Sequence, residues 1–274
     1  MTTARPGPGP GRATALIDTT FDFRIDTPPG RDPDAFSPTL RRYHRLLWSK
    51  PLPSGHVFDL DQSVPGRYLS HSSELGDFTL SSDSVIPTYT RWVRMQAIVG
   101  QLPESEREEF RSLGYTMGGM MIWPGVPAGG RRTINVERGF NARIADRMDL
   151  TLECIRRHYR GLDSPMASTL IAYAKFFSLF ESFEGFIDFF LLGDLVDSSG
   201  AVRFFLPCDD FSTKATPGDI KSYRDYKRCT LAFVAARNSR IDEFSERSLM
   251  TVDVDGLGVS RGNPKLPRRG TPPS

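Results

Sequence analysis

From Thr133 to Arg160 the chain reads TINVERGFNARIADRMDLTLECIRRHYR, and there its apolar and charged residues fall into separate rows. No other stretch narrows the fold so much. On a helix of about 3.6 residues per turn, Phe140, Ile144, Met148, Thr151, Ile155 and Tyr159 share one arc, a stripe wide enough to seat the helix on a core. The spacing predicts a helix from about Val136 onward, with Asn135 as its N-cap. Asp146, Asp149 and Glu153 gather in a second arc roughly opposite, with Arg143, Arg147 and Arg157 beyond them.

Two readings of this polar surface stand side by side. In the functional one, Asp149 and Glu153, at i and i+4, supply an acid/base pair or jointly hold a cation, and they are the candidate catalytic residues. Arg138, Asn141, Arg147 and Arg237 are the candidate ligand-binding residues, the arginines because a guanidinium matches phosphate and carboxylate. In the structural one the same charges form a solvated helix face, where the Glu153 and Arg157 pair contributes only about 0.2–0.5 kcal/mol. No standard metal motif is matched, so no residue is assigned as a metal ligand. Arg237 falls on the apolar stripe of another helix, and a charge there needs a partner. Asp149, Glu153 and Asp188 are the expected acids.

Charge bounds the partners. The overall formal charge is +2, but Arg5, Arg12, Arg261, Lys265, Arg268 and Arg269 lie in end segments that hold no acid. Taking those six positive charges from the total leaves −4 on residues 17–256. An acidic body argues against a broad nucleic-acid surface, which works by neutralising phosphates. Cys154, Cys208 and Cys229 form no CxxC pair, which excludes a disulfide framework or zinc knuckle as an organising device and points to a cytoplasmic protein. The most apolar region, Met166 to Val196, is interrupted by Lys175, Glu181, Glu184, Asp188 and Asp194, too much charge for a membrane span.

In chain order, the Pro- and Gly-rich residues 1–16 and the basic residues 257–274 read as disordered tails around a single globular domain, 17–256. LRRYHRLLW is helical, with Leu40, Tyr43, Leu47 and Trp48 on one side and Pro51 beyond its end. HVFDLD, GRYLSH and GDFTLSS read as short antiparallel strands, with SVPG and SELG as turns. Thr90 to Gln101 is helical, and a second helix runs between Pro103 and Gly114. TMGGMMIWPG is a strand returning through PAGGRR to TIN. Ser164 and Pro165 open a helix from Met166 that is apolar around much of its girth. FIDFFLLGDLV either continues the helix or, the favoured reading, becomes in its second half a strand paired through DSSG with AVRFFLP. DIKSYRDYKRCTLAFVAARNSRIDEF, apolar at steps of three or four from Ile220 to Phe244, is a long C-terminal helix. The fold class is α+β, a mostly antiparallel sheet of short strands covered by several helices.

None of HExxH, GxSxG, GxxxxGK[ST] or GxGxxG occurs, which removes the motif-based enzyme assignments. Cys154 and His158, at i and i+4, have the spacing of a nucleophile and base, but also of a buried thiol beside an imidazole. The runs SPTLRRYHRLLWSKPLPSG, YTMGGMMIWPG, TIN..RGFN..IADR.DLTLECIRRHY, FF.LF..F.GF.DFFLL.DLV and VRFFLPCDDF resemble a bacterial family catalogued as a domain of unknown function, over most of residues 20–245. The resemblance implies a single domain and a bacterial source, and no activity or residue roles. The sequence thus predicts a protein that binds or acts on a phosphate-bearing or other anionic small ligand. The alternative is a non-catalytic protein-interaction module whose buried charges hold the fold. Neither reading specifies a cofactor.

Overall fold

In the computed structural model, residues 17–60, 69–74 and 76–256 are described, with side chains through residue 247. Both tails and the SVPG turn lie outside the described residues. A short helix α1 (Pro33–Phe36) leads into α2 (Pro38–Trp48), where the Ser37 hydroxyl accepts from the Leu40 amide and Pro38 takes the first turn. As the spacing predicts, α2 buries Leu40, Tyr43, Leu47 and Trp48. His44 is buried as well. Burial, reinforced by Arg237 and Arg41, lowers its pKa to about 3. The ring is therefore neutral, its Nδ1 accepting from Trp48 Nε1 at 3.0 Å and its Nε2–H left to donate to Ser82 Oγ at 2.8 Å.

Strands β1 (Leu69–Ser73) and β2 (Gly76–Ser84) form the expected hairpin, with Leu69 opposite Leu80. HVFDLD contributes only an isolated bridge between Pro51 and Val57. After a short helical segment, α3 (Gln96–Val99), and α4 (Glu104–Gly114), the chain enters β3 (Met120–Pro124) through a 3-10 turn over Met117–Gly119. The order is β1-β2-β3, all antiparallel. The partner of β3 is β2, not TIN. Ile134 instead begins α5 (Ile134–Phe140), capped by Thr133 Oγ1 rather than by Asn135.

The predicted single helix is two. α5 stops at Phe140, and α6 (Met148–Tyr159) starts after a bend in which Ala145 and Asp146 adopt φ of 49° and 65°. Asn141 shapes the bend: its Oδ1 accepts from the Arg143 amide, and its Nδ2 donates to Glu137 Oε1 and to the Pro165 carbonyl. Phe140, counted in the apolar arc, is 74% exposed. The region after Ser164 likewise breaks into α7 (Ala167–Ala172), α8 (Ala174–Ser178) and α9 (Phe183–Phe189), and no Ser164 cap forms on α7. A straight helix apolar all round would leave some of its rings in water. Breaking it turns Phe176, Phe177, Phe180, Phe186, Phe189 and Phe190 inward, with edge-on or tilted ring contacts at 4.9–5.9 Å. The strand expected within FIDFFLLGDLV reduces to one bridge between Val196 and Val202.

The long helix α10 (Ile220–Gly256) crosses this assembly, and one hydrophobic cluster runs from Ile17 to Ile241. No helix of the described residues is long and apolar enough to cross a membrane. Contact between α10 and the turn before β3 is intimate. A Cβ on Gly118 would lie 2.5 Å from the Val234 carbonyl oxygen, and the Gly118 amide donates to Asn238 Oδ1 at 2.6 Å. Arg237 is fully buried beside it, but without the acid partner expected from the sequence. It donates to the carbonyls of Gly118 (3.0 Å), Met120 (2.8 Å) and Phe190 (3.0 Å), and its guanidinium faces the Trp48 ring at 5.8 Å. Burial lowers its pKa to about 9, so it stays charged at neutral pH.

Two substitutions test this junction. Arg237→Met strips the donors from three buried carbonyls and is expected to lower stability by roughly 3 kcal/mol or more in urea denaturation. Gly118→Ala drives a methyl into the α10 backbone, and a loss of several kcal/mol, on the order of an overpacked core or more, is expected in the same assay.

Candidate functional site

The buried charges belong to separate networks. Arg147, at the start of α6, binds Asp149 through Nε (3.0 Å) and Nη2, and gives its remaining donors to the carbonyls of Ala215 (3.0 Å) and Leu206 (3.1 Å). Asp149 also accepts from the Phe205 amide at 2.8 Å, so this pair ties α6 to the segment ahead of α10. Burial works against charge on Arg147, but Asp149 outweighs it and raises the pKa. Glu153, one turn on, is clasped by Arg156 (2.7 and 2.8 Å) and Arg157 (2.9 Å), and Arg157 continues to Asp210. Burial raises the Glu153 pKa, but the two arginines outweigh it and the net shift is downward. Cys154 is buried and its thiol is pushed up to about 12 by that burial, the opposite of an activated thiolate.

Arg138 leads elsewhere. From the buried face of α5 it reaches Asp83 on β2 (3.0 Å), the carboxylate and carbonyl of Asp146 in the bend (3.2 and 2.8 Å) and Thr151 Oγ1 (3.1 Å), with the Trp123 ring 5.6 Å away. Asp83 and Asp146 are about a quarter exposed, and the side they show to solvent is the floor of a pocket of about 270 Å³. Asp34 from α1 joins them. Its Oδ1 is shut off from solvent and accepts no hydrogen bond. Tyr89, Trp92 and Tyr115 form walls, and Arg91 and Arg111 stand at the rim. The wall from Pro87 to Tyr89 is fixed from behind: Tyr226 and Tyr223 of α10 donate to the carbonyls of Pro87 (3.0 Å) and Thr88 (2.6 Å), and Tyr89 donates to the Ala145 carbonyl (2.9 Å).

Burial raises the pKa of every carboxyl on the floor. Asp34 rises well above the usual carboxylate range through burial, then repulsion from Asp83 and Asp32. Asp83 is pushed up to about 7 by burial and by Asp146 and Asp32, against the pull of Arg138. Asp146 is raised by burial, again opposed by Arg138. A group of this kind holds a proton near neutrality, and it can donate or accept one or meet a cation. A second depression of about 280 Å³ opens beside the first, sharing Arg91, Arg111 and Tyr115 with it and adding Arg24 and Arg31.

Of the residues singled out from the sequence, Arg138 reaches the pocket through Asp83 and Asp146. Arg147 and Asp149 meet each other, Glu153 meets Arg156 and Arg157, Asn141 braces the bend, and Arg237 lies on α10 among carbonyls. Sequence reasoning missed Asp34, Asp83, Arg91 and Arg111, which come from α1, β2, the wall segment and α4. The available signal was DPDAF, an acidic cluster just ahead of a helix start, but nothing in it names Asp83 as its neighbour.

The model of a family of unknown function, DUF6994, matches residues 17–241, and the chain belongs to that family. No curated protein and no solved structure matches it.

The raised carboxyls have a defined effect on stability. Their native pKa values lie above the unfolded ones, so the native state binds extra protons and this contribution declines as pH rises from about 4 through about 7. Asp34→Asn removes one repelling charge. It is expected to raise the urea midpoint more at about pH 8 than at about pH 5, and equal effects at both would refute the assignment.

Proposed function

We propose that this chain binds a phosphate-bearing or otherwise anionic small ligand at the pocket between α1, the end of β2, the Pro87–Trp92 wall and α4. The observation that carries the reading is the ring of arginines at its mouth: Arg91 and Arg111 border both depressions, and Arg24 and Arg31 line the outer one. Arg24 and Arg111 are partly neutralised by Asp22 and Glu108. Arg91 and Arg31 have no ion pair among the described residues. An exposed guanidinium at a concave mouth, free to make charge-assisted hydrogen bonds, suits an incoming oxyanion. Arg138 acts beneath the floor by holding Asp83 and Asp146 in place. On this reading the Arg147–Asp149 pair and the Glu153 cluster support the scaffold rather than touching the ligand.

The competing reading, a non-catalytic interaction module, draws on the same closed networks, since Arg147, Asp149 and Arg237 are all consumed by intramolecular partners. A thermal-shift screen against phosphate- and carboxylate-bearing metabolites separates the two. A ligand at a hundredfold excess over its dissociation constant adds about 2.7 kcal/mol of apparent stability. Arg91→Ala, at an exposed position, should change the unliganded protein by no more than about 0.5 kcal/mol while abolishing the response. A variant that responds like the wild type would remove Arg91 from the site.

A further inference from the structure

The pocket's fixed charges do not suit a ligand that is anionic throughout. Asp32, Asp34, Asp83 and Asp146 line it against Arg91 and Arg111. Arg138 beneath is divided between Asp83 and Asp146, and Arg111 is engaged by Glu108. Apart from the exposed Asp32, negative charge therefore collects at the floor and positive charge at the mouth. Asp34 sharpens the requirement. Its Oδ1 is buried without a donor, although nearly all buried polar atoms in folded proteins find one. Arg138 does not supply it: its hydrogen bonds and ion pairs go to Asp83, Asp146, Thr151 and the Val85 carbonyl.

We propose that Asp34, Asp83 and Asp146 form a subsite for a protonated amine or guanidinium, so that the ligand is a zwitterion with its cation at the floor and its anion at Arg91 and Arg111. This rests on the reading of the mouth as an anion site. A nitrogen cation brings several N–H donors at once, enough for the Asp34 carboxylate where it lines the pocket and for lone pairs of Asp83 and Asp146 that Arg138 leaves open. Tyr89, Trp92 and Tyr115 line the pocket, and Trp92 and Tyr115 each already carry a guanidinium over the ring, from Arg94 and Arg24, as electron-rich rings that attract cations do. Among the described residues no three His, Cys, Asp or Glu side chains are placed to hold a metal ion, so the complement is a set of donor hydrogens rather than a bare divalent ion. The volume of about 270 Å³ restricts the ligand to a small one. Bringing a cation to the floor favours the ionised carboxyls, and binding near neutral pH releases a proton.

Isothermal titration calorimetry on the full chain tests this with four probes: phosphoethanolamine, glycerol 3-phosphate, ethanolamine and magnesium chloride. Phosphoethanolamine is expected to bind about tenfold tighter than glycerol 3-phosphate, or more, as one added charge-assisted contact implies. Its apparent enthalpy should vary between buffers of different ionisation enthalpy, reporting the released proton. Asp34→Asn should bring the two phosphate probes to similar affinity, and Arg91→Ala should weaken both. Glycerol 3-phosphate binding as tightly as phosphoethanolamine, with both lost in Arg91→Ala, would overturn the cation subsite and leave the anion site standing. Ethanolamine binding as tightly as phosphoethanolamine, unaffected by Arg91→Ala, would do the reverse. Magnesium binding that Asp34→Asn abolishes would replace the amine by a metal, and no response to any probe would overturn both readings.

Discussion

Arg237 is the contact through which the elements of this fold are joined. Its guanidinium lies under Trp48 of α2 and donates to the turn before β3, to the first residue of β3 and to Phe190, the residue just past α9. A side chain on the middle of α10 thus holds elements that are far apart in sequence. Carbonyls, rather than a carboxylate, receive its charge. An acid would have had to be desolvated as well, and a buried ion pair often gains little over the desolvation of its two partners. Carbonyls that the sheet and helix ends leave open are buried in any case, and one planar group with five donors satisfies several of them together.

Arg147 and Arg138 apply the same principle with different partners. Arg147 uses a carboxylate and two carbonyls to fix the segment ahead of α10 against α6. Arg138 spans the bend between α5 and α6, from Thr151 on one side to Asp83 on the other. Leaving any of these guanidiniums without partners would be expensive in a low-dielectric interior. Each bond network therefore admits few alternative arrangements of the elements it touches. Arg138 differs in one respect: its acids are partly open to solvent, so its network ends at a surface instead of closing on itself.

Periodicity made α2, the β1-β2 hairpin and α10 legible, because each buries one regular face and is bounded by local chemistry such as Ser37-Pro38. It failed where the chain bends without a glycine or proline to mark the place. Ala145 and Asp146 enter the left-handed region inside a run whose apolar spacing continues unbroken, so the sequence reads as one helix across it. Ile144, Met148 and Ile155 are buried as the arc implies, but Phe140 is not. The partner of β3 was illegible for a different reason, since strand pairing depends on residues 36 positions or more away, such as Ser84 opposite Met120. Arg237 was legible as a charge needing a partner, and illegible as a ligand of carbonyls, because any residue's backbone can serve. The pocket lay beyond reach for the same reason as β3. Its carboxyls are ordinary residues of three separate segments.

Several unfavourable features of the molecule meet at the pocket. Tyr89 and Asp146, both lining it, hold φ of 57° and 65°, and Ala145 beside them holds 49°, a conformation that costs a non-glycine residue about 1–2 kcal/mol. Asp34, Asp83 and Asp146 add mutual repulsion and incomplete solvation. Left-handed backbone also occurs away from the pocket, at Glu181, Leu191, Asp210 and Phe211, whereas the buried charges of Arg147 and Arg237 are matched by acceptors. The conflicts at the pocket persist because the surrounding structure imposes them: Tyr223 and Tyr226 pin the wall, the Tyr89 hydroxyl holds the bend, and Arg138 holds two of the carboxylates. Strain and unbalanced charge that are held in place from behind at one concave surface are what the proposed ligand site requires, because a ligand can supply there the donors and charge that folding leaves out.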